Sequence, residues 1–207
     1  MSLRRQTDTA RSAWSIVTIL VGCAAVLFLV MQRSDDALAI ESDTLEVKIE
    51  SGGGVRATAR VLFSAKPEVI QGLLTDYAHW PDLFEVRMRI ADVTVENDIV
   101  TVDLRIDHAL MPGERRLVTE SRALPGGRVV TDLKGGDFKR YHRVWLLQPS
   151  AEGDQTIADF ELVVQPDLMV PDWLIAMVTR QELEAHFQII KHKASELARS
   201  SSRSNPS

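Results

Sequence analysis

Leu45, Val47 and Ile49 alternate with Glu46, Lys48 and Glu50, a period of two that marks a half-buried strand. Ser51-Gly52-Gly53-Gly54 then reverses the chain, and Val55–Phe63 returns as a second strand. The triple glycine is no phosphate loop, because no Lys-Ser/Thr follows it and a strand comes next where a helix should start. Pro67 opens a short helix whose apolar stripe is Val69, Ile70, Leu73 and Leu74, and Trp80-Pro81 begins a second short turn ending near Phe84. Six more strand-like runs follow: Met88–Glu96, Ile99–Asp107, Arg115–Leu124, Arg128–Lys134, Phe138–Gln148 and Gln155–Gln165. Asn97-Asp98, Pro112-Gly113, Pro125-Gly126-Gly127, Gly135-Gly136-Asp137 and Glu152-Gly153-Asp154 join them as tight turns, which implies an antiparallel meander. A helix of about 40 Å closes the pattern from Pro171 to Arg199. It is expected to bury Leu174, Ile175, Met177, Val178, Leu183, Phe187, Ile190, Ala194 and Leu197. The fold class is α+β.

A different pattern precedes this domain. Ala13–Met31 is a run of 19 residues without a charge, enough to cross a bilayer core of about 30 Å as a helix. Arg4, Arg5 and Arg11 precede it, and Asp35 and Asp36 follow Arg33. The positive-inside rule therefore expects a cytoplasmic N-terminus (residues 1–12), an anchor (13–31), a linker (32–44) and a domain outside the cytoplasmic membrane (45–199). Ala37-Leu38-Ala39 has the form of a signal-peptidase site, and cleavage there would leave a periplasmic or secreted protein. Charged Arg33, Asp35 and Asp36 between the apolar run and that site favour an uncleaved anchor. Cys23 is read as an ordinary residue of the apolar run, and Ser200–Ser207 as a disordered tail.

From Ile40 onward, 20 basic residues face 26 acidic ones, so nucleic acid is not an expected partner. Cys23 is the single cysteine of the chain, so the domain carries neither a disulfide nor a thiolate metal site. Glu182 and His186 lie one helical turn apart but supply too few ligands for a metal, and are expected to form a solvated pair. Lys191, His192 and Lys193 complement the C-terminal end of the helix dipole. Gly135-Gly136-Asp137-Phe138 is a hairpin. No cofactor motif and no nucleophile motif such as GxSxG occurs, and no cofactor is expected. Asp107 and His108 could serve acid–base chemistry, but neighbours in a strand point to opposite faces, so at most one of them can face a cavity.

Leu74-Thr75-Asp76-Tyr77-Ala78-His79-Trp80-Pro81-Asp82-Leu83-Phe84 resembles the "LxDYxxxPxxxP" element of START-like proteins. Val144-Trp145-Leu146-Leu147-Gln148-Pro149 resembles the "WxLxP" segment of the polyketide cyclase and coenzyme Q-binding group within that superfamily. The resemblance spans about Leu45 to Ala198; Glu85 or Val86 stands where the group often has a second proline. It implies a helix-grip fold, a curved antiparallel sheet of about seven strands around a long C-terminal helix. Between sheet and helix it implies an apolar pocket for a lipid, a prenylquinone or a similar hydrophobic molecule.

Candidate pocket residues follow from that fold. If Trp145 faces the pocket, Tyr141, Arg143 and Leu147 do too, by strand alternation. Arg143 would anchor a ligand oxygen; the plainer alternative is an outward arginine or one paired with Asp132 or Asp159. Phe160 joins this set, and Trp80, Phe84, Trp173 and Met177 are candidates for the mouth and lid, where they would touch ligand or a membrane interface. The leading expectation is a membrane-anchored, non-catalytic carrier or sensor of a hydrophobic ligand. A cyclase or aromatase using the same cavity is one alternative. An interaction module like the ribosome-association toxins of this superfamily is another.

Overall fold

The computed structural model describes residues 43–108, 113–151 and 153–203, so the expected anchor at 13–31 lies outside the described residues. Among the described residues no helix is long and apolar enough to cross a membrane. The strands are β1 (Thr44–Ile49), β2 (Val55–Phe63), β3 (Arg87–Glu96), β4 (Ile99–Asp107), β5 (Arg115–Leu124), β6 (Arg128–Gly136), β7 (Phe138–Pro149) and β8 (Thr156–Pro166). Helix α1 (Pro67–Thr75) and a 3-10 helix (Tyr77–Leu83) link β2 to β3, and α2 (Asp172–Arg203) ends the described chain. The sheet has eight strands rather than about seven, because both strands of the N-terminal hairpin belong to it.

Its order is β1-β2-β8-β7-β6-β5-β4-β3, and every neighbouring pair is antiparallel. From β3 to β8 each strand pairs with the next, as short turns require. The exception is β2, which pairs with β8 across the length of the domain and so brings the first hairpin beside the last strand. Ladder irregularities at Ile90/Asp92, Val118/Thr119 and Phe138/Arg140 bend the sheet, as bulges do. The concave side takes the alternate residues of each strand; along β2 these are Val55, Ala57, Ala59, Val61 and Phe63, all buried.

Local chemistry sets the connections. Gly53 and Gly54 adopt φ of +82° and +76° in the β1–β2 turn, the left-handed region that side chains avoid. The backbone N–H of Gly54 donates to Asp172 Oδ1 at 3.0 Å, which ties this turn to the first residue of α2. Pro67 occupies the start of α1, where its missing N–H costs nothing. Thr179, Leu183, His186, Phe187, Ile190 and Ala194 form the buried stripe of α2 at helical spacing. The expected members Met177 and Leu197 are instead 51% and 44% exposed. Met177 points to the other side of the helix, and Leu197 comes after Ala194, the last fully buried member of the stripe. The helix continues to Arg203, past the expected end at Arg199.

One end of the space between sheet and helix is solid. Trp145 is wholly buried there, with ring centroids 4.6 Å from Phe160, 5.7 Å from Phe187 and 6.3 Å from Phe63. The other end is hollow.

Candidate functional site

The hollow end is a cavity of about 210 Å³. Its walls come from the ends of β3, β4, β5, β7 and β8, the first three turns of α2, the segment before α2, and the residues around Phe84. Met88, Leu104, Ile106, Leu117, Leu162 and Val164 supply the sheet side. Leu168, Val170, Leu174, Ile175 and Val178 supply the opposite side. An apolar enclosure with few polar groups is the usual form of a small-molecule site.

Arg143 is the notable exception to that apolar lining. Alternation along β7 turns Tyr141, Arg143, Trp145 and Leu147 to the concave side, and Arg143 is only 4% exposed. Its guanidinium carbon lies 4.6 Å from the centroid of the Trp80 ring, in cation–π contact. Its Nη2 donates to Thr131 Oγ1 over a long 3.4 Å, while Nε has no hydrogen-bond partner. Trp80 is held in place by its own Nε1–H, which donates to the Leu74 carbonyl at 2.9 Å. Thr131 also shares a 2.9 Å hydrogen bond with Ser121, and Tyr77 stands beside them with its phenol pushed up by burial. Neither Asp132 nor Asp159 pairs with Arg143: Asp132 engages His142 at 2.7 Å, and Asp159 lies 3.9 Å from Arg60.

Two further ionisable groups reach the cavity. His108 lines it, whereas Asp107 turns outward to Arg87 at 3.1 Å, so one of the two faces inward. Glu182 comes from α2, with Oε1 3.6 Å from His108 Nε2. One turn further along α2, His186 is 1% exposed rather than part of a solvated pair with Glu182. Its ring stacks on Phe84 at 4.1 Å, and Nδ1 lies 2.7 Å from the Leu83 carbonyl oxygen. A carbonyl can only accept, so Nδ1 carries the proton and Nε2 is a bare lone pair. Burial pushes this imidazole down to about 3, against the raising effect of the Leu83 hydrogen bond, and nearby Arg143 lowers it further. The ring is neutral at ordinary pH.

Four of the eight residues expected at the pocket line the cavity: Trp80, Phe84, Tyr141 and Arg143. Trp145 and Phe160 face the same side but pack in the solid end beneath Phe187, so they are core rather than lining. Trp173 and Met177 are 61% and 51% exposed, because the face of α2 that meets the cavity is Leu174, Ile175, Val178 and Glu182. Sequence reasoning passed over Thr179 and Glu182 as lining residues and His186 as a buried one. All three continue the helical spacing that runs from Ile175 to Leu183 and Phe187, and extending that stripe through polar residues would have found them.

Comparison with known proteins agrees with this geometry. No curated protein matches the chain. Among solved structures, a START superfamily protein from Mycobacterium smegmatis is 20% identical, with a TM-score of 0.56 over 69% of this chain and 98% of its own. A STAR-related lipid transfer protein from Xanthomonas axonopodis is 16% identical, with a TM-score of 0.57 over 78% of this chain and 96% of that fragment. The Zhui aromatase/cyclase from Streptomyces sp. R1128 is 11% identical, with a TM-score of 0.53 over 68% of this chain and 93% of its own. At these identities the likeness is one of fold, and it identifies the sheet and long helix as the START-like helix grip. The family model described as polyketide cyclase / dehydrase and lipid transport matches residues 63–186, from the end of β2 through the cavity to His186, and the chain belongs to that family.

Proposed function

We propose that this protein binds a hydrophobic ligand in the cavity between sheet and α2 and carries or senses it without chemical change, outside the cytoplasmic membrane. The observation that carries this reading is the apolar cavity itself, broken by one buried cation, Arg143, that can hold a ligand oxygen. Lipid or prenylquinone-like molecules fit such a lining. The lipid transfer protein among the structural neighbours has the same fold and lends support of that kind only. The location rests on the basic residues before Ala13–Met31 and the acidic ones after it. Met169, Trp173 and Met177, exposed where α2 begins, suit contact with a membrane surface during exchange.

Native mass spectrometry of the gently purified full-length protein, with extraction of bound molecules, tests the reading. A discrete lipid or quinone released from the protein is the expected result. Absence of saturable binding to any membrane lipid or quinone extract would count decisively against it.

A second reading is a cyclase-type enzyme, favoured by one observation: Arg143, His108 and Glu182 all line the same cavity. It predicts turnover of a poly-β-ketone analogue that is lost on His108→Ala with folding intact.

A further inference from the structure

Arg143 has too few partners for a buried charge. It is 4% exposed, its Nε makes no hydrogen bond, and the Nη2 contact to Thr131 is long. Ion pairs within 4.0 Å account for other arginines of the sheet, such as Arg56, Arg105 and Arg116, but none is formed by Arg143 among the described residues. Tyr77, pushed up by burial, stays a neutral phenol and cannot neutralise it. Glu182, the carboxylate of the cavity lining, lies against His108 instead. What remains is the face of Trp80 and neutral hydroxyls. Guanidinium is the side chain best shaped to take a planar oxyanion through two parallel N–H groups.

Resting on the hydrophobic-ligand reading above, we propose that the ligand is a single-chain amphiphile with a carboxylate head, bound head-inward. The carboxylate accepts from the Nη nitrogens of Arg143, the part of the guanidinium that reaches the cavity, completing the cation's coordination. The chain runs between Leu117 and Leu162 on the sheet and Leu174 and Val178 on α2. A cavity of about 210 Å³ suits one chain better than the two of a phospholipid, being below the roughly 300–1,000 Å³ of drug-sized sites.

The test compares dodecanoate, its methyl ester and dodecylamine at pH 8, binding to full-length protein in amphipol, followed by calorimetry and tryptophan fluorescence. Dodecanoate should bind about ten- to a hundredfold tighter than the ester, the range of a charge-assisted pair, and the amine weakest. In Arg143→Met the acid should lose that advantage while ester affinity holds. Methionine replaces a buried unpaired charge with an apolar chain, so the variant should fold; the wild-type comparison decides even if it does not. Equal binding of acid and ester, or a preference that survives Arg143→Met, overturns the carboxylate proposal and leaves the hydrophobic-ligand reading standing. Failure of all three probes to bind also overturns the carboxylate proposal, while the hydrophobic-ligand reading falls only if the lipid and quinone extracts fail to bind as well.

Discussion

Two residues of β7, one pleat apart, have opposite fates for a reason that strand parity does not contain. Arg143 and Trp145 share the concave face, but one looks into open volume and the other lies under Phe187. Parity gives the face of the sheet; position along the groove is set by where α2 presses on it. For that reason strand alternation groups Tyr141, Arg143 and Trp145 on one face without separating the two that line the cavity from the one packed beneath Phe187. His186 carries a measurable consequence of its own. Its folded-state value of about 3 lies below the ordinary 6.5, so below about pH 6.5 the unfolded chain binds a proton that the folded ring refuses. The stability it contributes is complete above that pH and is lost as pH falls toward 3, at about 1.4 kcal/mol per pH unit for one proton. His186→Phe, which cannot titrate, should flatten the acid side of the stability curve by that slope; urea unfolding from pH 7 to 4 measures it. An unchanged slope would mean that the ring is protonated in the fold.

Turns and helices were legible where chemistry is local. All eight strand-like runs are strands, and the connections at Ser51–Gly54 and Pro125–Gly127 are turns, because left-handed backbone and alternating burial both leave marks within a few residues. Gly126 and Gly127 show how finely such marks can differ. Both have positive φ, of 79° and 76°, but a Cβ on Gly126 meets nothing within 4 Å, while one on Gly127 falls 2.3 Å from the Leu147 carbonyl oxygen. Gly126→Ala should therefore cost only the conformational penalty of roughly 1–2 kcal/mol. Gly127→Ala should cost distinctly more, since it also disturbs the 2.9 Å hydrogen bond from the Leu147 N–H to its carbonyl. Denaturant midpoints of the two variants, measured side by side, separate strain from crowding. The burial of α2 was harder to read: its inward face includes Thr179 and His186, and a stripe drawn through apolar residues alone skips them.

At the scale of the whole domain, the pairing of β2 with β8 was beyond the reach of local pattern, since it joins residues about a hundred positions apart. That pairing lets α2 close over a groove packed at one end and open at the other. Trp145→Ala, which empties the packed end, should destabilise the protein by about 3–5 kcal/mol in equilibrium unfolding. Leu174→Ala, at the cavity wall, should cost less because that side chain already borders open space. The division has an evolutionary consequence. Residues that line the cavity and residues that hold the fold occupy different lengths of the same strands, so substitutions around the cavity can change what fits there while the aromatic cluster absorbs their cost in stability. Selection can thus rewrite the contents of the container without rebuilding its walls.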